Sequence, residues 1–314
     1  MANVDRVAGV DRRRARGIPS SRLAVRWPTH DHPLPWLLPA VLLLVALGLY
    51  PLGYNLVNSF REFDEMTGRV EWVGWANWSR LLGDDRVRNA LAVTGVYVGV
   101  ALAIEAVLGL LIALLLNTEP WGAGLWQSLL ILPMVVPPTV AGVMFEVFQN
   151  ADFGVVSWLL YEAGILDKTE PLIGGTGRHA LKAVLLPDVW QWTPFFVLIL
   201  LAGLKALPTE PLEAAQVDGA GAWQRFFHIT LPMLRPMIAI AVLFRLVDLL
   251  KVFDYVYVMT NGGPGVKTEV LSFYAYQRSF QTIEWGYGSV LGIVILVLAI
   301  VVANVYVRLF KVEW

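Results

Sequence analysis

The chain has 314 residues, 57% hydrophobic and 16% charged, with a net charge of −1 and a mean hydropathy of +0.59. Soluble domains carry about 25% charged residues, so this composition points to lipid; the net charge argues neither for nor against nucleic acid, and no nucleic-acid partner is expected. The absence of cysteine excludes disulfides, thiolate metal sites and cysteine nucleophiles, and His30, His32, His179 and His228 show no ligand spacing beyond a pair in the tail, so no metal site is expected.

Residues 1–33 form a basic tail in which Arg12, Arg13, Arg14 and Arg16 cluster. The positive-inside rule keeps this tail in the cytoplasm, and its charges also suit anionic membrane lipid. A membrane-spanning helix needs about 20 mostly apolar residues. Six stretches qualify, at residues 34–57, 89–116, 125–148, 183–204, 237–259 and 289–310. Six crossings return the C-terminus, with Arg308 and Lys311, to the cytoplasm. Residues 34–314 therefore read as one all-α transmembrane domain. The first apolar run is too long for a signal peptide, and no small-residue cleavage site follows it.

Loops 58–88, 149–182 and 260–288 fall outside. Trp72, Trp75 and Trp78 in the first suit anchoring at the membrane interface, or contact with a protein that delivers a solute. Glu105 and Glu146 lie within spans, where polar side chains glue helices together; both are expected at a contact with a second subunit, with contact to substrate as the alternative. Pro133, Pro137 and Pro138 break the third span, as a hinge or as a packing kink.

Charged groups inside a bilayer usually face the bundle interior or water. In the fourth span Asp188, Gln191, Trp192 and Phe195 fall at i, i+3, i+4 and i+7 and share a helix face. Arg245, Asp248, Leu249 and Val252 repeat that spacing in the fifth, with Lys251 and Asp254 nearby. Carboxylate, amide and guanidinium groups suit hydroxyl-rich ligands, and aromatic rings suit the apolar faces of sugars. At i,i+3 spacing Arg245, Asp248, Lys251 and Asp254 also neutralise one another, and the two roles are compatible.

Between these spans lies the long inner loop 205–236. Thr209 is placed to cap a helix that runs through Leu212–Val217. Gly219 and Gly221 then permit a sharp turn, and a second short helix is expected over 222–229, ending near Leu231-Pro232. Ala214 and Ala215 allow close approach, and Glu213 offers a charge to a basic rim. Such an exposed helix suits a groove in a partner or the plane of the membrane surface; these residues alone leave both open.

The spacing Glu213-Ala214-Ala215, three residues, Gly219, nine residues, Ile229, one residue, Leu231-Pro232 resembles the EAA loop of ABC-importer permeases. Leu130-Ile131-Leu132-Pro133 with Val136-Pro137, and Thr260-Asn261-Gly262-Gly263-Pro264, resemble the carbohydrate-uptake branch of that family, the Asn-Gly-Gly-Pro turn being characteristic of the larger maltose-transporter permease subunit. The resemblance covers residues 34–310. It implies the type I ABC importer permease fold, six transmembrane helices with a cytoplasmic coupling helix, in a bacterial inner membrane. It implies that Glu213, Ala214, Ala215, Gly219, Ile229, Leu231 and Pro232 couple to an ATPase subunit. Carried over by position, Asp188, Gln191, Trp192, Phe195, Arg245, Asp248, Leu249 and Val252 stand where the maltose-type subunit contacts its sugar, although the identities depart from it at nearly all eight.

The implied partners are a second homologous permease, two ATPase subunits and an extracytoplasmic solute-binding protein. No G-x-x-x-x-G-K-[ST] occurs in the chain, so ATP and Mg belong to the partner ATPase, and the chain itself is expected to bind no cofactor and catalyse no reaction. The cargo implied is a sugar or polyol. Three alternatives stay open. Another solute such as glycerol-3-phosphate has Arg245 in its favour and Asp188 and Asp248 against it. An integral-membrane enzyme requires a catalytic constellation that the sequence does not display, and a secondary transporter requires no soluble partner.

Overall fold

The computed structural model describes residues 34–64 and 68–310; the basic tail, with its orienting arginines, and Lys311 lie outside the described residues. The chain divides into two units, residues 1–51 and 52–314. The first holds α1 (Leu34–Leu44), a π-helical turn, Val45–Leu49, and the start of α2 (Tyr50–Asn58), most of which belongs to the second. The helical run Trp36–Asn58 is long and apolar enough to cross a membrane, and its leucines and valines stay exposed within the chain. A helix that is apolar on all sides needs lipid or a partner around it.

In the second unit a short hairpin follows, β1 (Arg61–Asp64) against β2 (Arg69–Trp72), antiparallel with Arg61 opposite Trp72. It is the one strand pairing among the described residues. Phe60 stacks on Trp72 and meets Trp75 edge to face, and the Trp78 indole donates to the Ser59 hydroxyl at 3.2 Å. The three loop tryptophans thus gather around one phenylalanine. Next come α3 (Ala76–Gly83) and α4 (Asp85–Asn117), the latter capped by the Asp84 carboxylate accepting from the Arg86 backbone N–H.

The third span is α5 (Ala123–Val135) and α6 (Pro138–Phe148), bent by 98° at the Val136-Pro137 break. Each proline lacks the N–H that an unbroken ladder requires. After α7 (Val155–Glu162) comes the fourth span, α8 (Ala180–Lys205). It carries Pro187 and Pro194 inside its length and is nevertheless the most enclosed span of the unit. It packs along α4. Tyr97, Ala101, Glu105, Gly109 and Ala113, at four-residue steps, form the buried face of α4. Gly109 makes the approach possible: a Cβ there would lie 2.3 Å from the Phe196 Cβ.

The inner loop holds α9 (Glu210–Val217) and α10 (Ala222–Arg225). Two expectations fail here. Thr209 precedes α9, but its side chain makes no cap hydrogen bond, because its backbone is already helical. Nor does the helix starting at Ala222 stop at Leu231-Pro232; it passes through a π-helical turn, Phe226–Thr230, into α11 (Leu231–Leu249). The wider turn explains the continuity. The Leu231 N–H reaches back five residues to the Phe226 carbonyl, and the ladder is already loosened where Pro232 has no N–H to give. The π turn before Pro51 repeats the device.

The fifth span also ends earlier than 259. The continuous helix is Ala222–Leu249, and residues 254–259 form a separate helix, α12 (Asp254–Met259), packed on α6. Phe253 leaves the helical region at φ −141°, and the Val252 carbonyl so released accepts the Ser272 hydroxyl. After the Asn261-Gly262-Gly263-Pro264 turn come α13 (Leu271–Tyr276), a π turn at Gln277–Gln281, and the sixth span, α14 (Trp285–Phe310).

Candidate functional site

The site is built on α4, α8 and α11, and its centre is Arg245, 3% exposed. Its Nε donates to Glu105 Oε2 at 2.8 Å and its Nη2 to Glu105 Oε1 at 2.9 Å, a fork gripping one carboxylate with two bonds. The same Nη2 donates to Asp188 Oδ1 at 2.5 Å, and Nη1 donates to Asp248 Oδ2 at 2.6 Å. The Tyr97 hydroxyl donates to the other Asp188 oxygen at 3.1 Å. The guanidinium carbon lies 4.7 Å from the centre of the Trp192 ring, within cation–π range. One cation is therefore held by three carboxylates, two of them fully buried with it. Isolated buried charges cost several kcal/mol each, and such a cluster persists because nearly every lone pair and N–H is used.

Two cavities adjoin the cluster. One, about 250 Å³, is lined by Asp188, Trp192, Arg245, Asp248, Lys251, Val252, Phe253, Asp254 and Tyr255. The other, about 480 Å³, is more apolar and shares Trp192, Arg245, Asp248 and Lys251, adding Phe195 and Phe244. Of the eight residues expected at a substrate face, six line one or both: Asp188, Trp192, Phe195, Arg245, Asp248 and Val252. Two do not. Leu249 is fully buried in the core beside Tyr97 and Val256. Gln191 is buried with both amide atoms engaged, its Nε2 donating to the Val136 carbonyl at 2.6 Å and its Oε1 accepting from the Tyr255 hydroxyl at 2.7 Å. It braces the break between α5 and α6.

Glu105 is a residue whose role sequence reasoning misplaced. It is fully buried inside this subunit on Arg245, not at a contact with a second one; Glu146 is the exposed member of that pair. The four-residue step Ala101–Glu105–Gly109–Ala113 carried the signal, since it puts Glu105 among small residues on a face that a close neighbouring helix covers. The expected chain of i,i+3 neutralisations is shorter than drawn. Arg245 and Lys251 both reach Asp248, the latter at 3.8 Å, while Asp254 accepts from the Thr139 hydroxyl at 2.9 Å instead.

The inner loop is a second candidate surface. The Gly219 N–H donates to the Gln216 carbonyl and the Ala220 N–H to the Ala215 carbonyl, the paired bonds of a Schellman stop, with Gly219 at φ +83°. Arg225 Nη1 donates to Gln216 Oε1 at 3.1 Å, tying α10 back to α9. Glu213, Ala214 and Gly219 are exposed, while Ala215, Ile229, Leu231 and Pro232 are half-buried. Trp223, 75% exposed, stacks on Phe227 at 5.7 Å. Among the described residues no group of three or more His, Asp or Glu is placed to hold a metal.

Residues 105–311 match the family model described as binding-protein-dependent transport system inner membrane component. Over 238 residues the chain is 36% identical to the trehalose/maltose transport system permease protein MalF of Thermococcus litoralis, covering 76% of this chain and 79% of that one. It is 35% identical over 274 residues to the trehalose transport system permease protein SugA of Mycobacterium tuberculosis, covering 87% and 86%. The fold is that of a bacterial ABC transporter chain from a system importing the acidic polysaccharide alginate, with a TM-score of 0.73 at 22% identity over 88% of this chain and 94% of that one. Among the described residues five helices are long and apolar enough to cross a membrane and a bent pair makes a sixth, and this multi-pass chain belongs to the binding-protein-dependent transport system inner membrane component family of ABC-importer permeases.

Proposed function

We propose that this chain is the permease subunit of an ATP-driven importer of a neutral sugar or polyol, and that its cargo passes the cavity beside Arg245, Asp188, Asp248 and Trp192. The observation that carries the reading is the state of Arg245. Most of its N–H groups are taken by Glu105, Asp188 and Asp248, so the smaller cavity presents carboxylate oxygens, the Lys251 ammonium and an indole face. Carboxylates accept from hydroxyl donors, and an indole suits the apolar face of a pyranose. In the smaller cavity Asp188, Asp248 and Asp254 outnumber Arg245 and Lys251, so we place an anionic cargo such as glycerol-3-phosphate behind a neutral one. Named relatives that handle trehalose or maltose support the same class.

In this reading the chain is a non-catalytic member of a heteromeric complex. A second permease completes the pathway, two ATPase subunits burn ATP with Mg, and an extracytoplasmic binding protein delivers cargo. The α9 segment, Glu213 to Gly219, with Ile229, Leu231 and Pro232 behind it, faces the ATPase on the cytoplasmic side, where the termini also lie. Asp248→Asn is the test. Asp248 is the most accessible of the three carboxylates, its side chain 40% exposed, and the amide keeps an acceptor for Arg245. Uptake into proteoliposomes should fall at least tenfold while complex assembly and basal ATPase activity persist. Wild-type uptake by the Asn variant would overturn the site.

A further inference from the structure

Beyond the cavity, on the side of the fifth span away from the 205–221 loop, four aromatic rings follow one another. Phe253 lines the 250 Å³ cavity. It stacks on Tyr257, centroids 5.2 Å apart at 18°, and meets Tyr276 edge to face at 5.0 Å. Tyr257 meets Tyr276 at 5.4 Å, and Tyr276 meets Phe280 at 5.5 Å. Phe253 and Tyr276 are half-buried, Tyr257 is 41% exposed, and Phe280, at the outer end, is 71% exposed. The outermost ring is the most open. The series is also amphipathic. The neighbouring Tyr257 side chain raises the Tyr276 phenol's pKa. Each step therefore offers an apolar face and, at the two middle rings, a polar edge.

The frame around these rings is fixed. Phe273, fully buried, lies 6.2 Å from Phe253 and fills the space that a side chain at Gly262 would need. The Ser272 hydroxyl on the Val252 carbonyl ties α13 to the end of the fifth span, and Thr260 and Thr268 hydroxyls bond each other across the 260–268 turn at 2.7 Å. Phe253 and Tyr276 thus project from two braced segments rather than from a free loop.

From this continuity with the cavity we infer that Phe280, Tyr276, Tyr257 and Phe253 form an entry track for a neutral hydroxylated ring, on which a sugar stacks in succession on its way to the Arg245 cavity. The track rests on the sugar-import reading. Pyranose rings carry an apolar C–H face that stacks on aromatic rings while their edge hydroxyls bond polar neighbours. A ladder with about 5 Å between rings lets the ligand gain a new contact before it loses the old, so no step is costly. The competing occupant is the second permease, which would use the same rings as a subunit contact.

The test uses the full complex with its binding protein in proteoliposomes and radiolabelled trehalose, maltose, glucose and myo-inositol as cargo. For whichever cargo the wild type accumulates, Tyr276→Leu and Phe280→Leu should each raise the KM for uptake about five- to tenfold. ATPase activity without cargo should be unchanged, and Tyr276→Trp should restore the wild-type KM. Phe280→Leu is the safer variant for folding, since the side chain is largely exposed. Unchanged KM in both Leu variants would overturn the track. So would Tyr276→Trp failing like Tyr276→Leu in an assembled complex, or loss of the second permease from the purified variants. Wild-type accumulation of none of the four cargoes would instead overturn the sugar reading, and the track with it.

Discussion

Arg245 shows how one side chain organises both stability and selectivity. Its fork on Glu105 and its further bonds to Asp188 and Asp248 join three spans at one point. Removing one partner of a buried ion pair costs about 3–5 kcal/mol, because the other is left uncompensated. The cost should depend on which partner goes. Arg245→Met leaves Glu105 and Asp188, both within reach of the same Nη2, as buried carboxylates without a cation. Glu105→Gln removes one carboxylate but keeps an acceptor on the guanidinium, and costs about 1–2 kcal/mol. The thermal midpoint for loss of monodisperse complex in detergent should therefore fall much further in Arg245→Met than in Glu105→Gln. Equal falls would show that the cluster is not the joint described here.

At the scale of elements, a second joint sits where α4 begins. Asp84 caps α4 and also accepts the Tyr274 and Tyr287 hydroxyls, each at 2.6 Å, so one carboxylate links α4, α13 and α14. Partial burial pushes its pKa up, but the two tyrosine hydroxyls and the backbone N–H groups of Arg86 and Val87 outweigh it and hold the carboxyl below its usual range. A carboxylate whose pKa is lower folded than unfolded contributes stability above the ordinary carboxylate range and loses it as pH falls through the folded value. Acidification from about pH 6 to about pH 3.5 should therefore destabilise the wild-type complex more than Asp84→Asn, which has no proton to take up there. Parallel pH profiles for the two would refute the joint. None of this was legible in the sequence, since Asp84, Tyr274 and Tyr287 are far apart along the chain and lie in or beside loops. What was legible followed from local chemistry. The spans came from apolar length, the broken third span from its prolines, and six cavity residues from helical spacing. The misses came from contacts that spacing cannot see. Glu105 pairs across 140 residues with Arg245, Leu249 is buried in the core, and the fifth span stops at Leu249, where the freed Val252 carbonyl finds the distant Ser272 hydroxyl.

At the scale of the molecule, the inner loop and the polar cluster belong to one continuous helix. Ala222–Leu249 begins at the turn after Gly219 and ends just past Arg245 and Asp248. At about 1.5 Å per residue it spans roughly 40 Å, so the loop and the cluster are joined by one helix whose loosened stretch is the π turn Phe226–Thr230 before Pro232. The turn that sets the angle between α9 and this helix rests on Gly219 at φ +83°, where a side chain costs about 1–2 kcal/mol. Space is not the obstacle, since a Cβ there meets nothing within 4 Å. Gly219→Val should therefore leave the permease folded while tilting α9 away from its partner. If α9 is the coupling helix, that variant and Glu213→Lys should both assemble with the second permease, yet lose cargo-stimulated ATPase activity and most uptake. Gly219→Asn, which tolerates a positive φ better, should retain more of both. A Gly219→Val complex that couples and transports like the wild type would remove α9 from the path between ATP hydrolysis and the Arg245 cavity. A valine variant that fails only because the permease is no longer recovered from the membrane would make this turn a folding element instead, and the assignment of α9 would then be lost with it.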